Sequence, residues 1–404
     1  MNESLKIFQC LSEDSKNIFS LIQKKGPLTK NKLLLMTKIK LTSLNRFMQP
    51  LEEQGLVVEV GTGASTGGRK PVLYDVNPSR FYLVGLDISR TYTQVIITNL
   101  KMEILDRRRF LMQECFTPVK TVKTISTTLK EMLKALLIDT SMLLGVGLGT
   151  IGPLDRAEGV ILNPKNFPAK GWHHTWIKRF LEQELALPVM IDNGANTAAV
   201  AELLFGSGRN LSNIAYFNCG IGIRTGVISS GTIVRTINDA EDAFGHMVID
   251  VDGEQCSCGN YGCIERYSSI PSIVQKYGSA VKKGRFSAVS KPLQEINYMD
   301  ICDAAEQKAE LAREIITDAA AIFGAGLANY MNLLNPDLIV LSGPLIKHSP
   351  LFYQVCTRIA LKKYYLKEEG KVIFSRGGHF KDSAIAVGAA AMVIESYLNS
   401  TVLG

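Results

Sequence analysis

The stretch GHMVIDVDGEQCSCGNYGCIE, residues 245–265, contains Cys256, Cys258 and Cys263 within eight residues, and His246 precedes the first of them by ten. Three thiolates and one imidazole are the usual ligands of a closed, four-coordinate structural zinc site. The glycines at positions 259 and 262 allow the tight turns that bring the sulfurs together. The sequence therefore predicts a structural zinc ion and no open position for catalysis. The alternative is three buried apolar thiols and an unrelated histidine.

The bulk composition is that of an ordinary globular protein. A chain of 404 residues is long enough for two or three domains with sizeable cores. It has no apolar run of membrane-spanning length, and its polar N-terminus lacks a secretory signal. The five cysteines outside the quoted stretch are scattered, which is typical of a reducing compartment. These features predict a cytoplasmic protein with no membrane partner.

The positive charge is concentrated at the N-terminus. Residues 1–80 contain twelve Lys and Arg against seven Asp and Glu, so that +5 of the net +7 lies in the first fifth of the chain. Such asymmetry favours an acidic partner for this segment. By itself it is weak evidence, because many solvated helices are basic.

The same segment reads as three helices followed by a β-hairpin. Apolar residues recur at helical spacing over 12–25, 30–37 and 41–54, and Gly26-Pro27 stops the first helix. Residues 56–60 and 71–76 read as strands around a glycine-rich loop. This order predicts a winged helix-turn-helix domain over residues 1–80. Its apolar positions, Leu33 to Met36 included, are expected to form the core.

The third helix of this domain is expected to enter the major groove of double-stranded DNA. Residues near the start of a recognition helix reach base edges, while hydroxyl and basic groups also hold phosphates. The predicted contact residues are Leu41, Thr42, Ser43, Asn45 and Arg46. The alternative is a solvated polar surface. Pro50 lies near the far end of this helix and is expected to disturb only that end.

The loop of the hairpin, residues 61–71, is predicted to be a DNA-contacting wing. Gly68 allows the backbone to approach DNA closely, and Pro71 keeps Lys70 extended, so that Arg69 projects. An extended run of this kind suits a narrow, A·T-rich minor groove, where the potential is most negative. The alternative is a flexible linker with incidental charge.

The motif Cys-x-Cys-Gly-x-x-Gly-Cys-x-Glu, Cys256 through Glu265 with Gly-His upstream, resembles the signature of the ROK family of repressors and sugar kinases. The wing resembles the Gly-Gly-Arg-x-Pro segment of ROK repressors. The resemblance covers nearly the whole chain. It implies an α/β fold in which a duplicated, actin-like (ribonuclease H-like) sugar-sensing domain, residues 81–404, follows the DNA-binding domain. Its two lobes are expected at roughly 81–195, with the C-terminal helix, and 196–380.

The chain departs from the ROK kinases at the positions that carry chemistry. The kinases have a catalytic aspartate in a turn resembling Asn-Asp-Ala-Asn, whereas this chain reads Asn193-Gly194-Ala195-Asn196. A sugar kinase needs that carboxylate to take a proton from the attacking hydroxyl. The phosphate-loop glycines of the kinases are replaced at Ser89-Arg90 and Arg224-Thr225 as well. We therefore expect no kinase activity and no catalytic residue.

Part of the sugar pocket of the family is retained. By position the resemblance assigns ligand contacts to Gly152, Asn166, Asn193, His246 and Glu265. His246 would serve the metal through one ring nitrogen and the sugar through the other. The family's Glu-x-Gly-His glutamate is Ala243 here, which weakens the case for a plain hexose. For each polar contact the alternative is a turn-capping or salt-bridged side chain.

These observations predict a DNA-binding regulator, most simply a repressor of carbohydrate-utilisation genes. As a homodimer, or a homotetramer, it would take a pseudo-palindromic operator with A/T-rich flanks, and a small-molecule sugar in a cleft between the two lobes would release it. Two alternatives stay open. One is an ATP-dependent sugar kinase with a DNA-binding extension, and the other is a repressor controlled by a phosphotransferase protein.

Overall fold

The computed structural model describes residues 3–63, 70–164, 167–235, 243–366, 372–399 and 401–403, with side chains from residue 6 onward. These residues form two compact units. The first comprises Met1–Phe205 and Ile385–Leu403, and the second comprises Gly206–Ala384.

The first unit begins with a small domain of helices and short strands. In chain order its elements are α1 (Glu3–Gln9), α2 (Glu13–Lys25), β1 (Leu28–Thr29), α3 (Lys30–Thr37), α4 (Leu41–Glu53), β2 (Val57–Thr62) and β3 (Val72–Val76). The strands form an antiparallel sheet in the order β1-β3-β2. Helices α2 to α4 are followed by the antiparallel pair β2–β3, which is the order of elements that the sequence predicted.

Local sequence signals set the helix ends in this domain. The Ser12 side chain accepts a hydrogen bond from the backbone N–H of Ser15 at the start of α2. Thr29 does the same for Lys32 at the start of α3. These hydroxyls satisfy N–H groups that lack a partner within the helix. The short α1 was not predicted.

One core prediction for this domain was wrong. Leu33 is fully buried, but Leu35 is 79% exposed and Met36 is 39% exposed. At 3.6 residues per turn only one face of the eight-residue α3 points inward. Four consecutive apolar residues therefore cannot all reach the core.

The remainder of the chain forms two sheets with flanking helices. Up to the end of the first unit's main segment the elements are β4 (Tyr82–Ile88), β5 (Tyr92–Asn99), β6 (Ile104–Leu111), α5 (Pro118–Leu136), β7 (Leu143–Thr150), β8 (Leu154–Asp155), β9 (Val160–Ile161), α6 (Ile177–Leu185), β10 (Val189–Asn193) and α7 (Gly194–Phe205). The second unit has β11 (Ile214–Cys219), β12 (Ile223–Ser229), β13 (Thr232–Ile233), α8 (Ile264–Ser268), α9 (Ile270–Lys282), α10 (Tyr298–Glu306), α11 (Glu310–Leu334), β14 (Leu338–Ser342), α12 (Pro344–His348), α13 (Pro350–Lys363) and β15 (Ile373–Arg376). Helix α14 (Ala384–Tyr397) returns the chain to the first unit.

The two larger sheets share one topology. Their strand orders are β10-β7-β4-β5-β6 and β13-β12-β11-β14-β15. In each, three strands that follow one another in sequence pair antiparallel, and two later strands join the free side of the first strand in parallel. The duplicated α/β architecture expected from the sequence is therefore confirmed.

Each unit has its own apolar core. In the first unit, strands β4, β5 and β7 pack against α5 and α6. In the second, strands β11 and β14 pack against α11 and α13, with the rings of Phe217, Phe244 and Phe323 in edge-to-face contact. No helix in the described part of the chain combines the length and the apolar content that a membrane crossing requires.

Candidate functional site

The start of α4 presents an exposed polar face. Leu41 is 50% exposed, Thr42, Asn45 and Arg46 are exposed, and Ser43 is half-buried. The opposite face of the helix is buried through Leu44, Met48 and Leu51. The helix is thus fixed by its apolar stripe, and the predicted contact residues lie on the side that faces solvent.

One basic side chain contacts this face, and three other exposed lysines precede it in the sequence. Lys30 of α3 donates a hydrogen bond from Nζ to the Oδ1 of Asn45 over 2.9 Å. Lys32, Lys38 and Lys40 are exposed before or at the start of α4. These four lysines were not among the contact residues predicted from the sequence. The excess of positive charge in residues 1–80 was the signal that could have identified them.

The wing is described only at its base. The backbone N–H of Gly63 donates to the carbonyl of Pro71 over 2.8 Å, and Lys70 is exposed. Gly68 and Arg69 fall within 64–69, outside the described residues.

The four predicted metal ligands come together in the second unit. The Nδ1 or Nε2 of His246 and the sulfurs of Cys256, Cys258 and Cys263 all lie within 4.8 Å of one another. The Cys258 and Cys263 sulfurs are 3.7 Å apart, and the Cys256 sulfur is 3.8 Å from the Nδ1 of His246. Sulfurs bonded to one tetrahedral zinc at 2.3 Å would be about 3.8 Å apart. The donor set therefore fits a four-coordinate metal ion.

The backbone of this segment turns tightly at Gly259 and Gly262, as the sequence predicted. Gly259 and Gly262 have φ values of 97° and 69°. A Cβ atom at Gly262 would lie 1.7 Å from the carbonyl oxygen of Asp250, so no other residue fits there without moving the backbone. Pairing of Val248 with Cys263 closes the loop and brings its two ends together.

The thiols of this cluster differ in acidity. Burial raises the pKa of Cys263 to about 12, and hydrogen bonding with Cys258 adds to that effect. Burial also acts to raise the pKa of Cys256, but hydrogen bonds from the backbone and thiol of Cys258 lower it below its ordinary value. A divalent cation would displace the proton of Cys263 on binding, because metal ligands must be deprotonated.

Glu265 follows the last cysteine and lies beside the metal cluster. Its backbone N–H donates to the carbonyl of Gly245, the residue before His246. Its carboxylate Oε2 accepts a hydrogen bond from the backbone N–H of Ile223 over 2.9 Å. Glu265 thus joins the first residue of β12 to the segment that carries the predicted metal ligands, and no salt bridge to it is found among the described residues.

Two other predicted contact residues lie at one edge of the first sheet. Asn193 ends β10 and pairs with Thr150, the last residue of the parallel strand β7, which places Gly152 just beyond the same edge. The Oδ1 of Asn193 accepts a hydrogen bond from the backbone N–H of Asn196, so its carbonyl caps α7. Asn166 lies outside the described residues.

The position of the kinase aspartate is tightly surrounded. A Cβ atom added to Gly194 would lie 3.2 Å from the Cδ1 of Ile385, in helix α14. Asp192 is almost fully buried, and its Oδ1 accepts hydrogen bonds from the backbone N–H of Asn193 over 2.7 Å and from the side chain of Asn196 over 3.2 Å. Asp192 is therefore engaged in holding the turn.

Side chains next to the loop at Ser89-Arg90, where the kinase glycines are missing, interact with one another. The hydroxyl of Tyr92 donates to the Oδ2 of Asp87 over 2.7 Å, and Asp87 is 1% exposed. The guanidinium of Arg109 lies 3.5 Å from the centre of the Tyr92 ring. The loss of the glycines at this loop is visible in the sequence, whereas the hydrogen bond between Tyr92 and Asp87 is not.

Comparison with known proteins gives consistent results. The chain is 28% identical to the xylose repressor of Caldicellulosiruptor bescii, over 91% of this chain and 94% of that protein. It is 25% identical to the DNA-binding transcriptional dual regulator NagC of Escherichia coli, over 96% of this chain and 94% of that protein. Both alignments therefore extend beyond residues 81–404 into the N-terminal segment.

One solved structure matches nearly the whole chain, and another matches only part of it. A ROK family transcriptional regulator, described as a homologue of the E. coli MLC protein, superposes with a TM-score of 0.77 at 21% identity and covers 95% of this chain and 96% of that one. A ROK family glucokinase from Streptomyces griseus, solved with glucose and AMPPNP, superposes with a TM-score of 0.64 at 24% identity. The glucokinase covers 77% of this chain and 98% of its own length, so it matches only part of the chain.

The model of the ROK family matches residues 83–396, which include the cysteine motif and both five-stranded sheets. The chain therefore belongs to the ROK family.

Proposed function

We propose that this protein is a sugar-responsive transcriptional repressor that binds operator DNA and is released when a sugar binds. The observation that carries the proposal is the exposed face of α4 on a winged domain that precedes a ROK domain. The relatives named as a xylose repressor and as NagC align through this domain as well.

Within this proposal, α4 reads the major groove through Leu41, Thr42, Ser43, Asn45 and Arg46, and the wing contacts the minor groove through Gly68, Arg69 and Lys70. The free state of every cysteine among the described residues supports action in the reducing cytoplasm. A homodimer, with a tetramer as the alternative, would occupy a pseudo-palindromic operator with A/T-rich flanks.

The effector is proposed to be a small sugar that contacts Gly152, Asn166, Asn193, His246 and Glu265. Asn193 would use its amide nitrogen, because its oxygen already caps α7. The metal is proposed to be zinc with a structural role, since a Cys3His donor set is typical of zinc and leaves no coordination position open. His246 would connect the two sites, with Nδ1 on the metal and Nε2 toward the sugar.

A kinase is disfavoured by three features. Gly194 stands where the kinases have a carboxylate. Asp192 accepts a hydrogen bond from Asn196 within the turn, and Asp87 accepts one from the hydroxyl of Tyr92. These features support a protein that kept the sugar pocket without the phosphoryl-transfer chemistry.

The test begins with selection of a bound duplex from a random double-stranded pool, followed by affinity measurements on the recovered sequence. Arg46→Ala should weaken binding by about 1–3 kcal/mol if Arg46 holds a base or phosphate. Arg313→Ala removes the same charge from an exposed position on α11 in the second unit and serves as the control. Recovery of no duplex, or equal losses in the two variants, would count against the proposal.

The effector is tested by adding D-xylose, N-acetylglucosamine or D-glucose to the protein–DNA complex. Release by one of them, together with a higher melting temperature of the free protein, is the expected result. ATP-dependent phosphorylation of any of these sugars would support the kinase alternative. Retention of DNA with all of them would favour control by a phosphotransferase protein.

A further inference from the structure

Helix α14 is fixed to the first unit by backbone-to-backbone packing. A Cβ atom on Gly147 of β7 would lie 1.8 Å from the carbonyl oxygen of Ala389, and one on Gly388 would lie 1.6 Å from the carbonyl oxygen of Thr197 in α7. All residues from Ala384 to Ile394 are buried. At such close approach the helix cannot shift along the sheet without moving β7 and α7, because packed interiors transmit displacements.

The first turn of α14 touches the turn that connects β10 to α7. Ile385 is nearly buried, and its Cγ2 and Cδ1 atoms lie 3.4 Å and 3.2 Å from the position that a Cβ on Gly194 would occupy. Gly194 directly follows Asn193, one of the proposed sugar contacts. A displacement of this turn therefore presses on the N-terminal end of α14.

The last turns of α14 touch the DNA-binding domain. Glu395 is fully buried, and its Oε2 lies 2.9 Å from the Nζ of Lys24, near the end of α2. Two residues later the ring of Tyr397 stacks on Phe8 of α1 with centroids 6.1 Å apart. One helix of 14 residues thus contacts the turn at Gly194 at one end and the first two helices of the DNA-binding domain at the other.

The polar groups at this junction are not fully paired. Among the described residues, the second carboxylate oxygen of Glu395 and the side-chain oxygen of Gln23 are buried without a hydrogen-bond partner. The Gln23 Nε2 donates to the carbonyl of Leu100 over 2.6 Å. Each of these acceptors could take one more hydrogen bond, so the contact between Glu395 and α2 is not held in place by its full hydrogen-bonding capacity.

We propose that α14 transmits effector binding to the DNA-binding domain and that the Lys24–Glu395 ion pair is its output contact. The inference rests on the proposed function, because it gives the sugar and the operator a shared element. Movement of the Asn193–Asn196 turn would displace α14 and change the position of α2 through Lys24.

The main test is the double variant Lys24→Met/Glu395→Leu, which removes both charges together and leaves no unpaired buried ion. It should keep its affinity for the selected duplex and its stabilisation by the active sugar of the D-xylose, N-acetylglucosamine and D-glucose panel. The factor by which that sugar weakens DNA binding, typically about 5- to 150-fold for allosteric proteins, should fall below about threefold. Lys25→Met, which removes an exposed charge one residue away on α2, is the matched control and should keep the full factor.

A second test needs neither DNA nor sugar. Gly194→Ala places a methyl group against Ile385 and should change hydrogen exchange of the backbone amides at the end of α2, because local opening reports the packing of that helix. The change should disappear in the Lys24→Met/Glu395→Leu background. It should also disappear when Ile385→Val restores the space.

The outcomes separate the two proposals. If the exchange effect is present but no duplex is recovered, the repressor function fails and the role of α14 stands. If sugar releases DNA from the double variant as well as from the unmodified protein, or if Gly194→Ala leaves α2 unchanged, the role of α14 is wrong while the repressor function stands.

Discussion

Gly194 is the residue on which the expectation of no kinase activity depends most. Replacing it with aspartate adds the missing carboxylate at a position where Ile385 already lies 3.2 Å from the new Cβ. We expect Gly194→Asp to destabilise the first unit by about 1–3 kcal/mol through overpacking. We also expect no ATP-dependent phosphorylation of D-xylose or D-glucose, because the hydroxyl of Tyr92 still donates a hydrogen bond to Asp87.

The measurement is thermal denaturation together with an assay of ADP release. Gly194→Ala, which adds only the Cβ, separates the packing effect from the effect of the charge. Sugar-dependent ADP release by the aspartate variant would show that the phosphate loops are competent and that one residue had removed the activity.

At the same scale, the sequence predicted residues whose roles depend on near neighbours. The four metal ligands lie within 18 consecutive residues, and their clustering in the structure agrees with the prediction from spacing alone. The tie between Glu265 and Ile223 spans 42 positions and had no signal in the sequence.

At the scale of elements, the segment from His246 to Cys263 has little regular structure. Its shape is held by the isolated bridges Val248–Cys263 and Gln255–Tyr261, and Cys258 is exposed to solvent. Metal ligation is therefore expected to supply much of the stability of this segment, as in other small metal-bound loops.

Cys258→Ser should lower the zinc content to well below one ion per chain, since the loss of a thiolate leaves only three strong ligands. Elemental analysis of the purified protein measures this directly. Cys115→Ser, at an exposed cysteine outside the cluster, should retain full zinc content. Equal zinc content in the two variants would contradict the assignment of Cys258 as a ligand.

Elements whose partners are distant in sequence were the hardest to predict. Helix α1 is only seven residues long and packs through Phe8 on Phe81 and Tyr397. The end of α14 reads as an ordinary apolar helix until Glu395 meets Lys24, which lies 371 positions away. No periodicity within either segment reports such contacts, because they arise only when the chain has folded.

At the scale of the whole molecule, the N-terminal domain that we propose to bind DNA is part of the first unit. Besides the contacts of Phe8 and Lys24, Lys101 of the β5–β6 turn lies 2.6 Å from Asp75 of β3, whose side chain is 7% exposed. Separating such a pair is strongly destabilising, because it leaves a buried charge without its partner. The domain is therefore expected to unfold together with the first sheet instead of separately.

Calorimetry of the full chain should accordingly show no separate low-temperature transition for residues 1–80. All four predicted metal ligands belong to the second unit, so a zinc chelator should lower only the transition of that unit. For a unit of about 180 residues each kcal/mol corresponds to about 2–4 °C, and loss of a structural metal worth several kcal/mol should lower the transition by on the order of 10 °C. Added zinc should restore it. A chelator-induced shift of the first unit's transition would instead mean that the metal stabilises that unit too. Hydrogen exchange of the α2 backbone amides with and without chelator would then show whether that helix is affected.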